Sequence, residues 1–509
     1  MGRRPWTRTI PGAKATKRRA KMRRPKRSDS PMRLSDVLNW FVGIRAGTVA
    51  VAALGLGACS SGPLGAVAGV FGGDGDDDEE QTEEAAKDED RLSILTFEET
   101  LQADPRYAGL TVEVPPSYTN LSWPQPGGEA DHTLHHLSAG LTMKRLWTAD
   151  IGEASPRRAR LTSPPVAADG RIFVTDAEAV VSALDINTGE RLWENELTPE
   201  INEKFRIRDI LSRPNPAEIG FGGGVAYDNG RVFVTSGFGF VAALDAETGE
   251  LAWKYETTAP VRTPPTAHRG AVFLVTITNE LLALDEATGE RLWGFQSFEE
   301  TARILSSASP AAAGDLVVAP FSSGEVVAFL SNSGRPVWND TLSRSANLTA
   351  LATLNDIAGS PVIDRGLVYV VSHAGRLTAI DIRTGGRVWE SPIAGLQMPW
   401  VAGEYLFVVS IDGELVCLSR TEGAIIWITQ LQRYQNEKKK KGRIAWAGPV
   451  LAGDHLMLVS TEGEIAKVQA RDGEIVETKK FDGGSIVPPI VADEKFFVLS
   501  EEGKLYAFN

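Results

Sequence analysis

Four decapeptides of the chain are near copies of one another: LDINTGERLW (184–193), LDAETGELAW (244–253), LDEATGERLW (284–293) and IDIRTGGRVW (380–389). FLSNSGRPVW (329–338) and LSRTEGAIIW (418–427) are looser copies. VQARDGEIVE (468–477) keeps the Asp-Gly pair but has Glu477 where the others have Trp. Upstream of each copy a Gly-containing turn leads into a run of apolar β-formers, as in GRIFVTD, GRVFVTS, GAVFLVT and GLVYVVS. Each unit therefore reads as four strands of about five residues separated by turns. The Asp before the turn can accept hydrogen bonds from the following amides, and the Gly supplies the positive φ that closes it. The Trp then opens the outer strand and packs into the neighbouring unit, where its burial contributes a few kcal/mol.

Counting the units sets the architecture. The turn-closing positions fall at 147, 193, 253, 293, 338, 389, 427 and 477. A last half-unit, PPIVADEKFFVLSEEGKLYAFN, ends at Asn509 without an outer strand, while MKRLWTADIG (143–152) is an outer strand without the three that should precede it. Joining the two closes a ring and removes exposed sheet edges. The fold class expected is all-β, an eight-bladed β-propeller of four-stranded antiparallel blades over 141–509, closed by an N-terminal strand. Seven blades is the nearest competing count. The longest gaps, 197–221 and 429–445, should be loops inserted between blades.

The N-terminal part has a different character. Residues 1–31 carry twelve Lys or Arg and one acid, Asp29, and read as a basic tail or a mis-assigned start ahead of Met32. From Met32, a basic n-region with Arg33 and Arg45 precedes a short apolar stretch, 47–58, and ends in Leu56-Gly57-Ala58-Cys59. The stretch is too short to anchor across a bilayer, and 32–58 fits a secretory signal whose end resembles the bacterial lipobox. Cys59 is the expected lipidation site, with several acyl chains giving stable anchoring. Residues 59–90 include DGDDDEEQTEEAAKDED (74–90) and read as a disordered acidic tether. Residues 91–140, with prolines at 115, 116, 124 and 126, read as an extended arm wrapping the propeller. Cleavage before Cys59 removes 14 of 53 basic and 2 of 66 acidic residues, leaving 39 against 64, a net charge of −25. Such a surface repels nucleic acid.

Motifs for chemistry are sparse. His132, His135 and His136 (HTLHH) have no carboxylate or cysteine partner at metal-site spacing, so no metal is expected there. GFGGG (220–224) reads as a turn entering a blade rather than a phosphate loop, and no GxSxG or HExxH occurs. Lys438–Lys441 read either as a solvated loop or as a contact for anionic lipid headgroups. With two distant cysteines, Cys59 and Cys417, no disulfide framework is expected.

The Trp-ended turn motif resembles the repeat shared by eight-bladed quinoprotein dehydrogenases and their non-enzymatic relatives. The dehydrogenases hold pyrroloquinoline quinone under a pair of adjacent cysteines, with a calcium ion on acidic and amide side chains. Here Cys417 stands alone in ELVCLS (414–419), which argues against quinone chemistry and for a chain with no cofactor. Over roughly 56–509 the lipobox, tether, repeats and closing strand resemble the outer-membrane assembly lipoprotein BamB family. That resemblance implies a non-enzymatic scaffold, lipid-anchored at the periplasmic face of the outer membrane. Its implied partners are the periplasmic domains of the outer-membrane β-barrel insertase and nascent barrel proteins, with the chain a monomer within that complex.

The family's partner surface lies on loops between central blades. TARILSSASP (301–310) places Arg303, Ile304 and Leu305 where the family has a leucine/arginine cluster. In LNDIAGSP (354–361), Asp356 matches an acidic contact residue, while Ala358 stands where a second acid is expected. An exposed Arg among apolar neighbours suits an interface anchor, and ordinary loop packing is the alternative for each. A quinoprotein-like enzyme and a periplasmic sensor or ligand-binding propeller are the competing functions.

Overall fold

In the computed structural model the repeated turn is held by its aspartate. Asp185 accepts from the backbone N–H groups of Asn187 and Thr188, both at 2.9 Å, and from the Thr188 hydroxyl at 3.1 Å. The same geometry recurs at Asp245, Asp285 and Asp381. These donations, led by the Thr amide, hold all four carboxyls below the usual carboxylate range. The structure describes residues 101–140, 142–152, 161, 163–199, 220, 222–298, 308–342 and 356–509. The chain divides into two units, 1–94 and 95–509, and every described residue belongs to the second. The basic tail, signal, Cys59 and acidic tether expected within 1–90 therefore lie outside the described residues.

The described strands form eight four-stranded antiparallel sheets. Blades 1 to 7 span 166–196, 223–256, 266–296, 311–341, 362–391, 400–430 and 446–480. Blade 8 combines Ile490–Ala492, Lys495–Leu499 and Lys504–Phe508 with the N-terminal strand Arg145–Asp150. The first strands of consecutive blades touch, which places them around the axis. Most of them, such as Val166–Ala168 and Ala311–Ala313, are three residues long, shorter than the repeat suggests. The second and third strands are almost wholly buried, whereas outer strands such as Arg191–Glu196 are mainly exposed. Several first-to-second turns, among them Asp169-Gly170 and Asn229-Gly230, have positive φ at both residues. That is the tight hairpin whose twist matches the strands.

Between blades, each Trp lies against the turn glycine of the next blade. A Cβ added at Gly189, Gly249, Gly289, Gly334, Gly385, Gly423 or Gly473 would sit 2.4–2.8 Å from the Trp of the preceding blade. The indole N–H groups of Trp193, Trp253, Trp293, Trp338 and Trp389 also donate to carbonyls of the next blade's turn, at 2.6–3.1 Å. An aromatic side chain from the second strand of the same blade packs beside many of them, as with Phe233 and Trp253 at 5.9 Å. Glu477 falls at the one joint without such a turn. The third strand of blade 8 runs into Asn509, and its outer strand arrives from the other end of the chain. With no turn glycine to cover, a Trp there would have no dock, and Glu477 is exposed.

Closure matches the expected pairing. Trp147 lies opposite Ala507 and Asp150 opposite Lys504. Asn509 N–H donates to the Lys144 carbonyl at 3.0 Å, and the Thr142 hydroxyl to the Asn509 carbonyl at 2.7 Å.

Residues 118–137 run around the axis and bond to the first strand of each blade in turn. Trp123 exchanges two backbone hydrogen bonds with Ala167 of blade 1, and Tyr227 of blade 2 donates to the Pro124 carbonyl. The Gln125 amide bridges Tyr227 and Ala267 of blade 3. Ala312 and Ile363 donate to the carbonyls of Ala130 and Asp131, joining blades 4 and 5. Trp400 of blade 6 donates to the His135 carbonyl, Leu137 bonds to Leu451 and Gly453 of blade 7, and Asn120 bonds to Val491 and Asp493 of blade 8. Trp123, 1 % exposed, stacks on Trp400 at 6.0 Å. The arm thus closes the axial opening on the face that carries the repeated aspartate turns.

The Trp–Gly joint makes a paired prediction. Trp253→Ala should cost about 3 kcal/mol of stability, as for a large aromatic lost from a packed site. Glu477→Trp should change stability by less than about 0.5 kcal/mol, as a surface substitution does. Urea unfolding followed by tryptophan fluorescence measures both. A Glu477→Trp gain comparable to the Trp253 loss would contradict the assignment of that joint.

Candidate functional site

The two faces of the ring differ. One carries the aspartate turns and the arm; the other carries the connectors between blades and the turns between second and third strands. Of the two loops singled out in the sequence, only Asp356 and the residues after it, and 308–310, are described. Arg303, Ile304 and Leu305 lie outside the described residues. Asp356 lies in the connector from blade 4 to blade 5, six residues before Val362, and is buried, 4 % exposed. Its backbone carbonyl accepts from His373 N–H at 3.1 Å. A carboxylate so enclosed belongs to the packing of this face as well as to any contact it makes. Ala358, at the position expected to hold the second acid, is buried too.

The end of the blade 3 outer strand carries a feature that no sequence motif marks. A cleft of about 660 Å³ opens between the outer strands of blades 3 and 4, Arg291–Gln296 and Pro336–Thr341. Phe295, Phe298, Val337 and Trp338 supply its apolar wall, and Ser297, Glu325 and Asn339 its polar rim. Phe298 is 76 % exposed. Phe295 is held from behind by Phe329 at 4.8 Å, and Ser297 Oγ donates to Glu325 Oε2 at 2.5 Å. The signal was in the register. Five residues after the Trp, blades 1 and 2 have Thr198 and Thr258, whereas blade 3 has Phe298. No other blade has an aromatic residue at this distance, and a large exposed apolar side chain there is an interface candidate.

The histidines of the arm serve its docking. His132 is buried, and its Nδ1 lies 2.7 Å from the Pro361 carbonyl. His136 Nδ1 lies 2.6 Å from the Pro115 carbonyl, while its Nε2 accepts from Asp454 N–H at 2.9 Å. Among the described residues no group of three or more His, Cys, Asp or Glu is arranged to hold a metal. Cys417 is fully buried within blade 6, opposite Phe407 and Trp427, and burial pushes its thiol well up. It has no cysteine neighbour among the described residues and no access to the axis. The residues present do not fit a quinone held under paired cysteines beside a metal.

The repeats and their departures can be set beside known proteins. The family model described as outer membrane protein assembly factor BamB matches residues 208–429 and 432–509. The chain belongs to the BamB family. A BamB of Yersinia pestis is 26 % identical over 339 residues, 66 % of this chain and 82 % of the relative. The BamB of Burkholderia pseudomallei is 26 % identical over 373 residues, 72 % and 88 % of the two chains. The crystal structure of BamB from Moraxella catarrhalis aligns with a TM-score of 0.59 at 18 % identity, covering 72 % of this chain and 99 % of that one. A europium-containing methanol dehydrogenase also aligns with a TM-score of 0.59, at 14 % identity over 76 % and 98 % of the two chains. That likeness shows the fold alone. A second model, for the β-propeller domain of glucose, ethanol and alcohol dehydrogenases, matches residues 141–255. PQQ-like repeats are thus common to both groups.

Burial of His132 generates a pH prediction. Desolvation pushes its pKa down to about 4, against the smaller opposing effect of the Pro361 carbonyl. Below about pH 6.5 the unfolded chain takes up this proton first. The contribution of the neutral ring is therefore full above that pH and is lost as pH falls towards 4. Glu129 and Asp131, raised by burial, act in the opposite sense, so the comparison must be with a variant. Between pH 7 and 4.5, wild type should lose about 2 kcal/mol more than His132→Asn. Hydrogen exchange of residues 118–137 reads this; parallel pH profiles for the two proteins would refute it.

Proposed function

We propose that this protein is a non-enzymatic scaffold of the outer-membrane β-barrel assembly machinery, lipid-anchored through Cys59 at the periplasmic face of the outer membrane. In this reading it binds the periplasmic domains of the β-barrel insertase, works as one copy within that complex, and aids insertion of nascent barrel proteins. The observation that carries it is the apolar cleft between blades 3 and 4 in a chain of the BamB family; Arg303, Ile304 and Leu305 follow Phe298 in sequence. Phe298 and Val337 supply exposed apolar area and Arg303 a charged anchor, the usual composition of an interface centre. Asp356 is assigned to the same surface through the connector in which it lies.

The test is co-purification of the insertase with the full chain from envelopes solubilised in mild detergent. Phe298→Glu and Arg303→Glu should each lower the recovered insertase about tenfold, a loss of about 1.4 kcal/mol, with unchanged thermal unfolding. Reversal of buried Asp356 is a poorer test because it perturbs packing as well. Failure of the wild-type chain to bring down any insertase would end this reading. Full recovery with both variants would remove the cleft from the interface.

A further inference from the structure

The connector between blades 6 and 7 is not the open loop that its length and lysines suggest. Tyr434–Asn436 pairs with Lys441–Arg443 in a two-stranded hairpin, with a single 3-10 turn, Glu437–Lys439, at its tip. The turn is internally capped. Glu437 Oε1 accepts from the backbone N–H groups of Arg433 and Tyr434, both at 3.0 Å, and Asn436 Oδ1 from that of Lys439 at 3.0 Å. The stem is fixed to blade 6. Arg433 and Arg443 both reach Asp412 Oδ1, at 2.5 and 3.1 Å, and Ile444 N–H donates to the Arg433 carbonyl at 2.8 Å.

This arrangement sorts the charges. The two stem arginines share Asp412, Glu437 caps the tip, and Lys438, Lys439, Lys440 and Lys441 have no ion-pair partner among the described residues, so the hairpin keeps a net excess of positive charge. All nine residues from 435 to 443 are exposed. A rigid support therefore presents four lysines and a net excess of positive charge on a chain whose net charge is −13, or −25 once residues 1–58 are removed. We propose that this hairpin is a contact site for anionic phospholipid headgroups.

Lysine rather than arginine at all four positions favours a lipid surface over a protein partner. Ammonium groups are compact point charges that need no directional match, as a diffuse array of headgroup phosphates requires. Specific protein interfaces are enriched in Arg and depleted in Lys. The rest of the acidic surface would be repelled by the same membrane, so the hairpin would also orient the ring. It lies on the connector face, three blades from the cleft between blades 3 and 4, and its engagement leaves that cleft open. The 42 residue steps from Cys59 to Leu101 can span at most about 150 Å, so chain length permits the contact.

The test uses the full chain with Cys59→Ser, which prevents acylation, and reads acetylation of individual lysines by mass spectrometry. Vesicles of phosphatidylcholine with about one-third phosphatidylglycerol should protect Lys438–Lys441 at low salt. Pure phosphatidylcholine vesicles, and glycerol phosphate at the same phosphate concentration, should not. Each lysine near an anionic surface is worth about fivefold in binding, so replacing all four by Gln should lower hairpin-dependent partitioning at least about twentyfold. High salt should abolish it. If Lys438–Lys441 stay reactive while the chain is bound to the anionic vesicles, the proposal is overturned. Protection by poly-glutamate but not by vesicles would overturn it in favour of an acidic protein. No insertase is present, so the outcome is independent of the assembly-factor reading.

Discussion

The ring rests on one contact, the face of a tryptophan laid over the turn glycine of the next blade. No larger residue fits beneath the indole, and the same glycine needs a positive φ that other residues adopt only with strain. Two independent constraints thus fall on one atom, which is why the motif is so evenly spelled along the chain. Its aspartate, four positions earlier in the near-identical copies, shapes the turn so that the glycine arrives under the ring. The joint has a direction: each blade covers the next. At the seam between the two chain ends that direction runs out, and there the aromatic is replaced by Glu477.

Closure by an N-terminal strand leaves a second requirement. Only three-residue strands line most of the axis, and their outward backbone groups need partners in a site that water enters poorly. The arm meets much of that need on one face. Trp123, Gln125, Ala130, Asp131, Leu137 and Asn120 engage blade after blade, mostly through main-chain atoms. A segment tied to all eight blades also ties them to one another. Ring closure, the arm and the buried histidines are therefore one system, and His132 is its pH-sensitive member.

These features were unequally legible in the sequence. The blade count, the closing strand at Trp147 and the anomaly at Glu477 could all be read, because a large aromatic and a glycine leave a signature at a fixed period. The arm's course around the axis could not. Its bonds are to carbonyls and amides, which every residue carries, and 101–140 has no repeat of its own. The HTLHH run lacked metal-site partners in the sequence, but the docking of its ring nitrogens against the Pro361 and Pro115 carbonyls could not be read from it. The order of the lysine hairpin depends on Asp412, which lies in another strand connection and is tied to Arg433 and Arg443 only by folding. Phe298 was visible, but only as a departure from the register of the other blades. For Asp356 the motif supplied the residue type and could not supply its burial.

Function is divided between the repeat and its exceptions. Residues that obey the repeat are consumed by the fold: the aspartates shape turns, the tryptophans cover glycines, and Cys417 fills a small space in a strand. The residues that break the repeat lie on the connector face: Phe298, where the other blades have small or polar residues, and four lysines on a capped hairpin. A closed propeller tolerates such departures there because connectors do not carry the blade-to-blade joint. Selection for binding can then act on one face without touching the contact that holds the ring together. The same logic lets one repeat support both redox enzymes and assembly factors.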